Sequence, residues 1–337
     1  MTDSEKFHVP PAAVLGGYIQ GQWIARCVHL AATLDLADHL KNGPKSIQYL
    51  AEATETHAPS LYRLLRALAS LGIFTEVEPA VFAQTELSNV LRFDLPGSLG
   101  YMAKYQGQEW LLKSWEHLEY SLRTGKAAVE HVYGTDIWTY FSQHPEQDEL
   151  FNQTMTSFHE NFNPLLARSY DFSAFTMLVD IGGGQGTFLE TILSDHPELQ
   201  GILFDLPKVI ESTRAKIKPR DRLQLVGGSF FTAIPEGGDA YMMKEVLHDW
   251  TDEDCIRILA NCRRAMKPES KLLLFETLIQ PEGGSETKLR DLLMLVAFSG
   301  RERTAEEFAS LFEASGFQLT QVIPTGTSMS IVEGIPV

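Results

Sequence analysis

From about Thr176 onward the chain alternates short apolar runs, TMLVDIG, GILFDLP, RLQLVGG, GDAYMMKEV and KLLLFETLI, with stretches of helical spacing. Few architectures satisfy that alternation. Strands without a polar face need cover on both sides, which a parallel sheet between two layers of helices provides. In such α/β sheets ligands bind beyond the carboxyl ends of the strands, so candidate residues are sought there. The last two runs, FQLTQVIP and TSMSIVEGIP, are joined by a tight connection and predict an antiparallel pair at one edge of the sheet.

Upstream, Leu15, Ile19, Trp23, Cys27, Ala31 and Leu34 recur at helical spacing and predict a helical region from Pro11 to Leu40, stopped by Asn42-Gly43-Pro44. Two amphipathic segments, Ser46 to Ala53 and Ala58 to Leu71, then precede the β-rich pair GIFTEV and AVFAQT. Two helices and a hairpin predict a winged helix-turn-helix. More helix is expected in 98–122 and 146–168. At 337 residues the chain exceeds what one core ordinarily supports. The expected division is 1–100, a helical winged-helix domain; 101–170, a helical linker region lining a substrate pocket; and 171–337, the ligand-binding α/β domain.

A formal net charge of −16 opposes binding to a phosphate backbone, and the segment 58–71 offers only Arg63 and Arg66 as a recognition helix. A winged-helix DNA-binding regulator is therefore disfavoured. Cys27, Cys255 and Cys262 lack the paired spacings of a zinc site or a disulfide framework. With no leader-like segment and no run of about 18 apolar residues, the expectation is a cytoplasmic protein without a membrane partner.

In LVDIGGGQG the glycines at 182, 184 and 186 follow a strand directly, where bare backbone lets a ligand approach. Thr187 stands where the dinucleotide fingerprint needs its third glycine, so a pyrophosphate site is disfavoured, as is a nicotinamide oxidoreductase. Asp205 ends the next strand, about 20 residues on, where a carboxylate can accept from both hydroxyls of a ribose. Ribose recognition without phosphate points to S-adenosylmethionine.

Three further residues belong to the same rim. His248 follows a strand in KEVLHDWTDEDC, Glu276 closes LLLFE, and Glu302 lies in SGRERT before a helix begun by Thr304 and Glu307. Thr251 and Asp254 predict a capping box for the helix after His248. If the three converge, neutral His248 can take a proton from a hydroxyl while Glu276 or Glu302 fixes its tautomer. A phenol near pKa 10 facing an imidazole near 6.5 makes full prior deprotonation uphill by about 5 kcal/mol. Proton removal is thus expected to accompany group transfer, with no metal required. Trp110, Met155, Phe158, Trp250, Met294 and Phe298 are candidates for the wall of an apolar pocket, Met155 and Met294 foremost.

With LVDIGGGQG, FDLPKVI, KEVLHDWTDEDC, FETLI and GRERTAEEF in order, nearly the whole chain resembles the S-adenosylmethionine-dependent O-methyltransferases of the caffeic acid and acetylserotonin type, which include bacterial natural-product enzymes. The resemblance implies a class I methyltransferase domain over 171–337, an N-terminal winged-helix domain that makes a homodimer, and S-adenosyl-L-homocysteine as product. It implies His248 as base flanked by Glu276 and Glu302, and cofactor contacts at Gly182, Gly184, Asp205, Leu206, Phe230 and the backbone of Lys244. The acceptor implied is a small, hydroxylated, aromatic or polyketide-like molecule. Some members of this fold family instead catalyse hydroxylation, decarboxylation or rearrangement; retention of His248 argues against that here. Two positions depart from the family. GGSFF has Ser229 where an adenine-binding Asp is usual, and TMTSFHE offers His159 where plant members carry a serine near the methionine end of the cofactor.

Overall fold

The computed structural model describes residues 10–216 and 221–337. They form two compact units that divide after Leu112. In the first, α1 (Pro11–Thr33) starts with proline in its first turn, where a missing N–H costs nothing. Most of α1 faces outward: Leu15, Tyr18, Ile19 and Trp23 are exposed, whereas Ala31 and Ala32 are buried. The helical region expected to run to Leu40 breaks at Asp35, whose φ of 49° is left-handed, and resumes as α2 (Leu36–His39).

Ser46 caps α3 (Ile47–Ala53) by accepting from Tyr49 N–H, and α4 (Ala58–Ser70) buries Leu61, Leu65 and Leu68 along one stripe. β1 (Lys45–Ser46), β2 (Phe74–Glu78) and β3 (Val81–Gln84) form an antiparallel sheet in the order β1-β3-β2. Leu36, Leu50, Leu65, Phe74 and Phe82 join helices and wing in one core. The winged helix-turn-helix is as the sequence predicts.

The second unit holds a seven-stranded sheet in the order β6-β5-β4-β7-β8-β10-β9. Its parallel members are β4 (Met177–Ile181), β5 (Gln200–Asp205), β6 (Leu223–Gly227), β7 (Ala240–Lys244) and β8 (Lys271–Thr277). β9 (Phe317–Pro324) and β10 (Met329–Pro336) complete it as the expected antiparallel edge pair. Side chains alternate between two cores: Val179, Tyr241, Met243 and Leu272 pack on one face, while Leu178, Ala240, Met242 and Leu273 pack on the other. The chain leaves β4 toward β5 and β6, then returns to its other side at β7. That reversal opens a crevice at the strands' carboxyl ends. Among the described residues no helix is long and apolar enough to cross a membrane.

One buried cation fixes the segment that follows β7. Arg303 has no exposed surface, yet its Nη1 donates to Leu247 O at 2.8 Å and its Nη2 to Trp250 O at 2.8 Å. Nε and Nη2 also donate to one Asp252 carboxylate oxygen, at 3.0 and 2.8 Å. The guanidinium therefore closes a loop that returns 56 residues along the chain. Arg303→Met is expected to lower the unfolding free energy by on the order of 3 kcal/mol, since two inward carbonyls lose their charged donor and keep only the weak Cys255 thiol and, at Leu247, the Trp250 N–H. Urea unfolding checks this: a loss below about 0.5 kcal/mol would mean that the loop holds itself.

Candidate active site

At the end of β4 the chain turns through glycines of left-handed backbone, with φ of 70° at Gly182 and 57° at Gly184. A Cβ on Gly182 would lie 2.9 Å from Val246 Cγ2, so the loop rests directly against the segment that follows β7. Asp205, at the end of β5, braces the loop: Oδ2 accepts from Gly184 N–H at 2.8 Å and Oδ1 from Leu206 N–H at 2.7 Å. Each oxygen keeps a second lone pair for a ligand hydroxyl. Burial raises the Asp205 carboxyl above its ordinary pKa, opposed by these two N–H donors.

The Leu206 side chain is half-exposed beside this carboxylate. The Phe230 carbonyl is held by Asn261 Nδ2 at 2.6 Å, while its ring meets Trp250 edge-on. The Ser229 hydroxyl accepts from Phe231 N–H at 3.3 Å, so it is engaged within its own turn. Under the loop lies a charge pair that the sequence reading omits. Asp180 is pushed up to about 7 by burial, against the pull of the Lys244 ammonium, and burial holds Lys244 below the usual lysine range. A bare glycine turn beside a carboxylate with free lone pairs fits a nucleoside ligand.

His248, Glu276 and Glu302 do converge. His248 sits in a single 3-10 turn (Leu247–Asp249) a few residues beyond β7, and all three side chains are buried. Nδ1 of His248 lies 3.2 Å from Glu302 Oε1 and 3.9 Å from Glu276 Oε2. Of the two acids, Glu302 is thus the hydrogen-bond partner. Glu276 mainly secures the turn: its Oε1 accepts from Val246 N–H at 3.2 Å and Leu247 N–H at 2.9 Å. Gly300 closes the arrangement from the far side, since a Cβ there would come within 1.9 Å of the His248 carbonyl oxygen. The expected capping boxes differ. Thr304 and Glu307 make a full one, whereas Thr251 accepts from Asp254 N–H without the reciprocal bond.

The electrostatics correct one expectation. An imidazole near its ordinary value was expected, but burial, which opposes its charging, is outweighed by Asp249, Glu302 and Glu276, and His248 is raised to about 10. Asp249, absent from the sequence reading as a participant, lies 3.4 Å from Nε2. Burial pushes both Asp249 and Glu276 up to about 7. The cluster therefore holds a resting proton that the imidazole and its carboxylates share. Nδ1 of His248 and one oxygen each of Glu276 and Glu302 lie within 4.8 Å of one another, a donor set that a divalent cation could use. Backbone N–H groups on Glu276 and the Arg290 guanidinium, 2.7 Å from Glu302, already supply positive charge there.

The proposed wall residues separate. Trp110 is core of the first unit, buried edge-on against Tyr105, a correction to its candidacy. Trp250 joins the glycine side to an aromatic group: Phe231 meets it edge-on, and Trp138 lies nearly parallel with ring centroids 6.1 Å apart. Trp138 contacts Phe151 and Phe298 as well. Trp138 lies in IWTYF, a stretch with no distinguishing pattern to mark it in the sequence. Met155 is half-buried on the helix Pro145–Glu160, and Met294 is buried on the helix Ser285–Ala297. His159 is buried, packs edge-on to Phe158 and pairs with Glu245.

Comparison with known proteins agrees with this architecture. An O-methyltransferase domain profile matches residues 115–318, and an O-methyltransferase dimerisation domain profile matches 17–92. The chain is 41% identical to a phenazine O-methyltransferase of Lysobacter antibioticus, over 98% of this chain and 97% of that one. It is 40% identical to a mitomycin biosynthesis 6-O-methyltransferase of Streptomyces lavendulae, over 94% and 92% of the two chains. The crystal structure of human N-acetylserotonin methyltransferase in complex with S-adenosylmethionine superposes with a TM-score of 0.91 at 25% identity, covering 99% of each chain. The chain belongs to the O-methyltransferase family and is an S-adenosylmethionine-dependent O-methyltransferase.

Proposed function

We propose that the protein methylates a ring hydroxyl of a small, flat natural product, with His248 as the general base. The observation that carries this reading is the 3.2 Å contact of His248 Nδ1 with Glu302, which engages one ring nitrogen; Nε2, 3.4 Å from Asp249 Oδ1, is the nitrogen that would turn to the acceptor. The aromatic group of Trp138, Trp250 and Phe298 supports a planar acceptor. So do the relatives, named for phenazine and mitomycin substrates. Gly182, Gly184 and Asp205 would hold S-adenosylmethionine, with Leu206, Ser229, Phe230 and Lys244 around it and Met155, His159, Trp250 and Met294 toward the acceptor. When bound, the cofactor supplies a sulfonium-activated methyl group and leaves as S-adenosylhomocysteine.

The protein's part is positioning and proton transfer. Glu302 accepts from Nδ1–H, so Nε2 presents a lone pair once the cluster has lost its resting proton. Nε2 then takes the hydroxyl proton as the acceptor oxygen forms its bond to carbon. Three carboxylates around the imidazole stabilise the resulting imidazolium, and His248 at about 10 is matched to a phenol near 10. With the imidazole raised, the proton transfer costs less than the about 5 kcal/mol of an ordinary histidine. The corresponding cost is that the free base is scarce at neutral pH. The homodimer is assigned to the first unit, where α1 exposes Tyr18, Ile19 and Trp23.

Asp205→Ala is expected to weaken S-adenosylmethionine about 10- to 100-fold in calorimetric titration, the loss of a charged hydrogen-bond acceptor; unchanged affinity would remove Asp205 from the ribose site. Replacing the base, His248→Gln should lower kcat by about 10²- to 10⁴-fold with cofactor affinity within about 3-fold. Because the carboxylates raise the imidazole, kcat/KM should climb with pH beyond 8, and Glu302→Gln, by removing one of them, should move that acidic limb to lower pH. A limb that stayed in place would assign the titration to another group. Dialysis against EDTA should leave activity unchanged; loss restored by a divalent cation would show that the histidine and the two glutamates bind metal.

A further inference from the structure

Behind the base lies a chain of mostly buried polar groups, two of which, Glu245 and Arg290, the reaction as described does not use. Arg290, on the helix Ser285–Ala297, sets Nη1 2.7 Å from Glu245 Oε1 and Nε 2.7 Å from Glu302 Oε1. Glu245 in turn pairs with His159 Nε2. The sequence of contacts His159, Glu245, Arg290, Glu302, His248 therefore crosses from the helix Pro145–Glu160 to the base. The side chains of Glu245, Glu302 and His159 are 8%, 1% and 7% exposed, so water does little to screen them.

Two observations single out this chain. Glu245 has a φ of 52°, left-handed backbone that a glutamate adopts only under constraint, and it lies one residue beyond β7. Its N–H is anchored to Phe275 O at 2.9 Å, so the backbone is fixed while the carboxylate is directed at Arg290. Among the described residues, Arg290 Nε and Nη2, Glu302 Oε2 and His159 Nε2 are buried and make no hydrogen bond, so Arg290 Nε and His159 Nε2 meet Glu302 and Glu245 as close polar contacts only. Polar atoms in that condition inside an active site are commonly completed by ligand.

We infer that Arg290, oriented by Glu245, is a positioning residue for the general base: it draws the Glu302 carboxylate away from His248 by just enough to set how firmly that carboxylate holds the imidazole. Without Glu245 the guanidinium would turn wholly to Glu302 and weaken its hold on Nδ1. Without Arg290 the carboxylate would bear on His248 alone. His159 extends the same chain to the helix that carries Met155, which couples the acceptor side to the base. The inference rests on the reading of His248 as base. Among the described residues, the charged groups facing the imidazole are Asp249 from its own turn, Glu276 from β8, and Glu302 with Arg290 behind it. Asp291 Oδ1 holds the Glu302 N–H at 2.9 Å.

The test follows the His248 imidazole titration by NMR in the full-length protein, identified by its loss in His248→Gln. Activity is measured in parallel on a hydroxyphenazine. Arg290→Met is expected to raise the His248 midpoint by about 0.5–1 pH unit and Glu245→Gln to lower it by a similar amount, both with kcat reduced roughly 10-fold or more. Opposite shifts are the signature, because a merely structural role would not produce them. If Arg290→Met does not fold, Glu245→Gln, which keeps volume and shape, carries the test alone. An unmoved midpoint, or shifts of the same sign, overturns the inference even where kcat falls. Should His248→Gln keep the wild-type kcat, the base reading fails and this inference with it. An inactive His248→Gln beside fully active Arg290 and Glu245 variants would remove this inference alone.

Discussion

The site depends first on where the chain is held between the end of β7 and the helix Asp252–Ala265. His248 and Asp249 are carried on a single 3-10 turn, an element too short to hold its own shape. Its rigidity is borrowed. Glu276 takes two of its backbone N–H groups from one side, and Arg303 takes the carbonyls of Leu247 and Trp250 from the other. Gly300 lets the chain before Arg301 press against the His248 carbonyl. A buried carboxylate and a buried guanidinium thus satisfy opposite polarities of the same turn, Cys255 Sγ adds a weaker bond to the Leu247 carbonyl, and the imidazole acquires a fixed direction because its backbone is held from both sides.

That solution brings charge into the interior, and the charges have to balance there. Asp249, Glu276, Glu302 and Glu245 would repel one another if all were ionised in a dry site. The cations His248 and Arg290 offset part of this, and the remainder is relieved by protons, as the raised positions of Asp249 and Glu276 near 7 indicate. The cluster works as one unit, so assigning its proton to a single residue describes only one of its microstates. A methyl transfer that releases one proton is well served by a group of carboxylates and an imidazole able to take it up without large rearrangement.

How much of this was legible in the sequence follows the range of each interaction. The glycine turn, Asp205, the helix start at Thr304 and Glu307 and the alternation of the strands are local features, each recorded within a few residues, and each appears where the pattern puts it. His248, Glu276 and Glu302 were reachable because strand ends in an α/β sheet share one rim. Their ranking was not: only the folded chain separates Glu302, on the ring nitrogen, from Glu276, on the backbone. Arg290 reaches Glu245 across 45 positions and Arg303 reaches Leu247 across 56, with no periodicity or spacing to mark either pair. Trp138 stands in an aromatic-rich helix in which Ile137 and Phe141 are buried, and nothing in the spacing sets the tryptophan apart.

The same charges bear on stability, and the sign differs by group. His248, raised to about 10, favours the folded state below the ordinary imidazole value near 6.5, a contribution lost as pH climbs through 10. Asp249 and Glu276 are raised as well, so they too favour folding only while protonated; above their ordinary values near 4 they become progressively unfavourable until they ionise near 7. Rising pH therefore works against this part of the fold twice, first as the acids ionise and then as the imidazolium that compensates them disappears. The proton-poor state is also the one in which Nε2 can accept from a hydroxyl. On the reading of His248 as base, catalytic competence and local stability are thus opposed in one cluster, and Arg303, bonded to the carbonyls of Leu247 and Trp250, is the group that keeps the turn in place while the others change.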